Sequence, residues 1–132
     1  MNLDAGDVVR KMVLIVDDSV FVRHALCELF KRQADFEVCG VAENGREAIE
    51  AAGRLHPDLI VLDLSMPVMN GFEAARILSK LMPAVPLILF TSFQTFNLEQ
   101  EALAAGISRL IVKSGPLADL VNCVRTLAKD AA

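Results

Sequence analysis

The run Leu59-Ile60-Val61-Leu62 ends in a carboxylate, Asp63, and this junction constrains the fold more than any other stretch. A short unbroken apolar run rich in Ile and Val fits a strand buried on both faces of a parallel sheet. Asp63 then stands at the strand's carboxyl end, the edge at which open α/β sheets bind ligands.

Other segments repeat the pattern. Met12 to Val16 reads as a buried strand ending in Asp17-Asp18, with Ser19 opening a helix to Arg32 that places Val22, Leu26, Leu29 and Phe30 on one face. Phe36 to Ala42 alternates and suits a strand nearer the sheet edge. Asn44 precedes Glu47 by three residues, the spacing of a capping box, and the helix runs to Leu55. After the Asp63 strand, Ser65 to Asn70 reads as a loop and Gly71 to Leu81 as a helix. Pro86 to Phe90 is a further strand, ending in Thr91-Ser92, and Asn97 to Ala105 is a short helix stopped by Gly106. Ser108 to Val112 is the last strand, ending in Lys113. Pro116 to Ala128 is the last helix, with Leu117, Leu120, Val121, Val124 and Leu127 in register. Strands that alternate with helices are parallel, joined by right-handed crossovers, with helices on both faces. The expected fold is α/β: a flavodoxin-like, doubly wound (βα)5 unit with strand order 2-1-3-4-5.

Composition removes several functions. Seventeen Asp and Glu against 13 Lys and Arg give a net charge of −4, which suits neither a nucleic-acid-binding surface nor a polybasic membrane patch. No apolar run approaches the roughly 18 residues of a membrane span, and the first eleven residues hold no signal-peptide core. The expected location is the cytoplasm. Residues 12–129 form the expected domain, with tails at 1–11 and 130–132. Cys27, Cys39 and Cys123 lack metal spacing and read as reduced structural thiols, while the isolated His24 and His56 read as helix-flank residues.

The strand ends carry the chemistry. In the order 2-1-3-4-5, strands one and three are neighbours about 4.8 Å apart, and the gap between them is the switch-point crevice. Asp17, Asp18 and Asp63 therefore converge, and three close anions need compensation: either some are protonated or a cation sits among them. Hard oxygen donors without His or Cys suit Mg²⁺ or Mn²⁺. Lys113 adds a positive group and Thr91 a hydroxyl, which completes a site for a phosphoryl group with one carboxylate as nucleophile. A dinucleotide site is excluded by the lack of G-x-G-x-x-G after the first strand. The glycine loop of a P-loop is missing, and no Trp or Tyr is present to flank a flavin. A purely structural α/β adaptor would not need the carboxylates.

Val13-Leu14-Ile15-Val16-Asp17-Asp18-Ser19, the stretch Pro57 to Gly71, Thr91-Ser92 and Lys113 together resemble the receiver domain of bacterial two-component response regulators, over residues 11–129. The resemblance implies a phosphorylation-dependent signalling switch rather than an enzyme. Asp63 would take a phosphoryl group from the phosphohistidine of a sensor histidine kinase or a phosphotransfer protein. It implies Asp18 as a direct Mg²⁺ ligand, Asp17 as a direct or water-mediated one, and the Ser65 carbonyl as the last protein ligand. Thr91 would bind a phosphoryl oxygen, and Lys113 would pair with the phosphoryl group.

Two positions depart from the family pattern. Leu110 stands where receivers carry an aromatic ring, and Ser114 stands where they carry a proline, so a trans bond is expected after Lys113. Ser65 and Phe93 occupy positions that tune phosphoryl lifetime in the family, and bulky Phe93 is expected to shield the group from water. The family's partner face is the fourth helix, fifth strand and fifth helix. Phe93 and Phe96 are candidates there for a homodimer contact or for core. Two further readings stand beside the single-domain switch: a receiver cut from a longer DNA-binding regulator, and an adaptor that works without phosphorylation.

Overall fold

Strands of four to seven residues form a central sheet, and the apolar runs ending at Val16, Leu62 and Phe90 sit at its centre because each can bury both of its faces. The computed structural model describes residues 9–92 and 95–131. In chain order the elements are β1 (Lys11–Val16), α1 (Val20–Lys31), β2 (Phe36–Ala42), α2 (Gly45–Leu55) and β3 (Leu59–Leu62). They continue with α3 (Gly71–Leu81), β4 (Leu87–Thr91), α4 (Leu98–Ala105), β5 (Arg109–Val112) and α5 (Leu117–Ala131). All strand pairs are parallel, and the order is β2-β1-β3-β4-β5, as expected.

Strand alternation divides the core in two. Leu14, Val16, Ile60, Leu62, Leu87 and Leu89 face one way, onto α2, α3 and α4 through Ala48, Ala52, Phe72, Leu78 and Ala102. Val13, Ile15, Leu59, Val61, Ile88 and Phe90 face the other, onto α1 and α5 through Leu26, Phe30, Leu120 and Val124. Each large side chain buried this way contributes roughly 1.5–3 kcal/mol. β2 is an edge strand, as its alternation implied, and it slips register opposite Val13 and Leu14, where Cys39 is the extra residue. The three cysteines are free and half-buried, and His24 and His56 are exposed.

Two local expectations need correction. The reciprocal capping box lies on α3, where Asn70 Oδ1 accepts from Glu73 N–H at 2.9 Å and Glu73 Oε1 accepts from Asn70 N–H at 3.0 Å. On α2, Asn44 does cap Glu47 N–H, but the Glu47 carboxylate reaches one residue further back, to Glu43 N–H. Leu117 is 41% exposed rather than core, because it opens α5 where the chain has just left β5, an edge strand that is itself only partly buried. Among the described residues no peptide bond is cis, which includes the bond after Lys113.

Candidate functional site

β1 and β3 pair through Val16 and Leu62, so the next residue of each strand, Asp17 and Asp63, leaves the sheet at the same place. Asp63 N–H donates to Val16 C=O at 2.9 Å, and Asp17 N–H donates to Ala42 C=O at 3.1 Å. These bonds continue the ladders by one step and fix both backbones. Asp18 follows in a bend and is exposed, whereas Asp17 and Asp63 are 2% and 6% exposed. Each of the three carboxylates offers an oxygen, and these oxygens all lie within 4.8 Å of one another.

Lys113 reaches this cluster from the end of β5, past β4. Its N–H donates to Thr91 C=O at 2.8 Å, which ties the two strand ends together. Its ammonium lies 2.8 Å from Asp17 Oδ2 and 3.3 Å from Asp63 Oδ1. The Phe90 ring lies beneath it, 5.8 Å from Nζ to the centroid. Thr91, fully buried, ends β4 between the strand of Asp63 and that of Lys113. Ser65 is exposed in the loop after β3. Helix α3 closes that loop: Gly71 N–H donates to Leu64 C=O at 2.8 Å. A Cβ at Gly71 would collide with the Asp63 carbonyl oxygen.

The electrostatics follow from one ammonium among three carboxylates. Burial raises the Asp63 carboxyl above its ordinary range, and the neighbouring Asp17 charge raises it further. Lys113 and the Leu64 N–H oppose this without cancelling it. Burial pulls the Lys113 ammonium down, but its hydrogen bond to Asp17 and the charges of Asp63 and Asp17 leave it above its usual value. A second, divalent cation would remove the remaining repulsion, and an all-oxygen donor set of this kind fits Mg²⁺.

The structure thus brings Asp17, Asp18, Asp63 and Lys113 into one cluster and sets Thr91 on the adjoining strand end. Phe93, expected to shield the site, lies outside the described residues, and Phe96 is fully exposed rather than core. Leu110 is half-buried and packs on the core beneath α4. The sequence reading passed over Arg23, whose guanidinium donates to Asp17 C=O at 2.7 Å. It also passed over Phe90 as the surface under Lys113. A cation one turn into the helix that follows Asp17-Asp18 was the available signal for Arg23.

This fold with this strand-edge cluster defines a receiver domain. The response regulator receiver domain family model matches residues 13–125, and the chain belongs to that family, whose members are phosphorylation-dependent modules of two-component signalling. The chain is 36% identical over 119 residues to the chemotaxis protein CheY of Thermotoga maritima, covering 90% of this chain and 98% of CheY. It is 34% identical to the transcriptional regulatory protein LnrK of Bacillus subtilis over 87% of this chain, and spans only 52% of LnrK. The crystal structure of the response regulator domain of Thermotoga maritima CheB superposes with a TM-score of 0.83 at 34% identity, covering 91% of this chain and 97% of that domain. Receiver domains bind Mg²⁺ at such acidic clusters and interact with histidine kinases or phosphotransfer proteins. Among the described residues no helix is long and apolar enough to cross a membrane.

Proposed function

We propose that residues 12–129 act in the cytoplasm as a switch that takes a phosphoryl group onto Asp63 from a phosphohistidine, with tails at 1–11 and 130–132. The observation that carries this reading is the buried Asp63 carboxylate, within 4.8 Å of two more carboxylates and 3.3 Å from Lys113 Nζ. Among the described residues, Asp63 Oδ1 accepts from Leu64 N–H and contacts Lys113, which leaves Oδ2 as the nucleophile. Oδ2 forms a bond to phosphorus as the bond from phosphorus to the imidazole nitrogen breaks, and the imidazole leaves. Asp18, Asp17, Asp63 and the Ser65 carbonyl would hold Mg²⁺, or Mn²⁺ in its place. The ion supplies charge neutralisation for the transferring group. Lys113 then pairs with a phosphoryl oxygen, and the Thr91 hydroxyl binds another. The proposed partners are a sensor histidine kinase or phosphotransfer protein and a second copy of the chain, through the face of α4, β5 and α5.

Intact-protein mass after incubation with acetyl phosphate tests this reading. A Mg²⁺-dependent gain of one phosphoryl group, lost in Asp63→Asn, is expected. No gain in the native chain with Mg²⁺ bound would favour an adaptor that works without phosphorylation. The 52% coverage of LnrK supports a second reading, in which this receiver regulates the output of a longer DNA-binding protein. A reading frame that continues past Ala132 into such an output would establish it.

A further inference from the structure

We propose that Arg23 is a positioning residue that sets the Asp17-Asp18 pair for a divalent cation; this rests on the reading above that the carboxylate cluster holds one. Successive side chains on a strand point to opposite faces, so two neighbouring carboxylates can meet only if the chain turns where it leaves the sheet. The turn begins at Asp17. Its N–H is fixed by Ala42 C=O at 3.1 Å. Its C=O accepts from Arg23 Nη1 at 2.7 Å, and no other donor to it is present among the described residues. Arg23 therefore replaces the ladder bond that β1 gives up on leaving the sheet. The guanidinium is largely buried, with 13% of its side chain exposed, and its other amine pairs with Glu43 Oε1 at 3.4 Å. Glu43 N–H is in turn held by Glu47 Oε1, so the turn is braced against the start of α2. The fork geometry explains why arginine and not lysine suits this place: one planar group serves a carbonyl and a carboxylate in different directions.

The sign of the effect separates positioning from simple electrostatics. Arg23 is a cation near the proposed metal site, so removing its charge alone would tighten Mg²⁺ binding. Loss of positioning would weaken it, by about tenfold for a group that orients metal ligands. The experiment is isothermal titration of Mg²⁺ into the wild type, Arg23→Ala, Arg23→Lys and Arg125→Ala, with hydrogen exchange of the Ser19 amide measured in the metal-free proteins. That amide donates to Asp17 Oδ1 at 2.9 Å and reports the turn directly. The expected results are an Mg²⁺ Kd about tenfold higher in Arg23→Ala, a smaller rise in Arg23→Lys, no change in Arg125→Ala, and faster Ser19 exchange only in the Arg23 variants. Arg23→Lys carries the test should the alanine variant fail to fold. An unchanged or lower Kd with unchanged Ser19 exchange would overturn the proposal. Wild type that binds no Mg²⁺, together with faster Ser19 exchange in the variants, would overturn the metal reading and keep Arg23 as the brace of the turn.

Discussion

The Asp17 carboxylate and the Lys113 ammonium lie 2.8 Å apart, although 96 residues separate them in the chain. This pair closes the sheet's carboxyl edge: it joins the end of β1 to the end of β5 across the mouth of the proposed phosphoryl site. Lys113 thereby occupies charge that a divalent cation would otherwise compensate.

Lys113→Gln is expected to act in two directions. Asp17 is 2% exposed and loses its ammonium partner, so the metal-free fold should lose about 1–3 kcal/mol. The same change removes a competing cation, so Mg²⁺ should bind more tightly and recover part of the loss. Urea unfolding with and without Mg²⁺ checks both signs, and weaker Mg²⁺ binding would count against the cluster as drawn.

Gly71→Ala is expected to disturb Asp63, the proposed phosphoacceptor, through the backbone. The added methyl would strike the Asp63 carbonyl oxygen and lie 3.0 Å from Leu64 Cα. Either the start of α3 or the end of β3 must move. A stability loss of about 1–3 kcal/mol is expected, with slower phosphorylation by acetyl phosphate. Thermal unfolding and a mass time course measure the two.

Val68→Gly should stabilise the protein. Val68 has a φ of 70°, a conformation that β-branched residues rarely adopt, within a γ-turn in which Met69 N–H donates to Pro67 C=O at 2.7 Å. The residue is 74% exposed, so little packing is lost. Relief of strain less the added freedom of the unfolded chain leaves a gain of about 1 kcal/mol. Chemical denaturation would show a higher midpoint, and a lower one would contradict the strain.

Arg125 supports the fold far from the site, and its effect should depend on pH. Its guanidinium grips Asp35 at 2.7 and 3.0 Å and lies 5.7 Å from the Phe36 ring centroid. The hydrogen bond from Arg125 holds the Asp35 carboxyl below its ordinary range, against a smaller effect of burial. A carboxyl depressed in the folded state contributes stability above its unfolded value and loses it as pH falls through the folded one. The pair is half-exposed, so Arg125→Ala should cost no more than about 1 kcal/mol at neutral pH. The cost should shrink in strong acid. Paired urea titrations at the two pH values test this.

The strands, their order and the acid cluster were legible because each depends on short-range pattern: buried runs, and what ends them. Asp17, Asp63 and Lys113 could be placed together once the sheet order was inferred. Arg23 left only its place one turn into the helix after Asp17-Asp18 as a signal, because its value lies in a carbonyl that the turn at Asp17 exposes, and carbonyls leave no mark in a sequence. The Asn70–Glu73 box straddles the expected junction of loop and helix, while the same spacing at Asn44 and Glu47 gave only half of a box. Leu117 matched the helical period and still lies exposed, since period places a residue on a face without saying where the sheet beneath it ends.

The central claim is that Asp63 itself accepts the phosphoryl group. Borohydride reduction of the acetyl-phosphate-treated, Mg²⁺-loaded protein, followed by peptide mass mapping, tests it most directly, because an aspartyl phosphate is reduced to homoserine. The expected result is homoserine at position 63 alone, dependent on Mg²⁺. Homoserine at Asp17 or Asp18, or at no aspartate in a protein that binds Mg²⁺, would contradict the account.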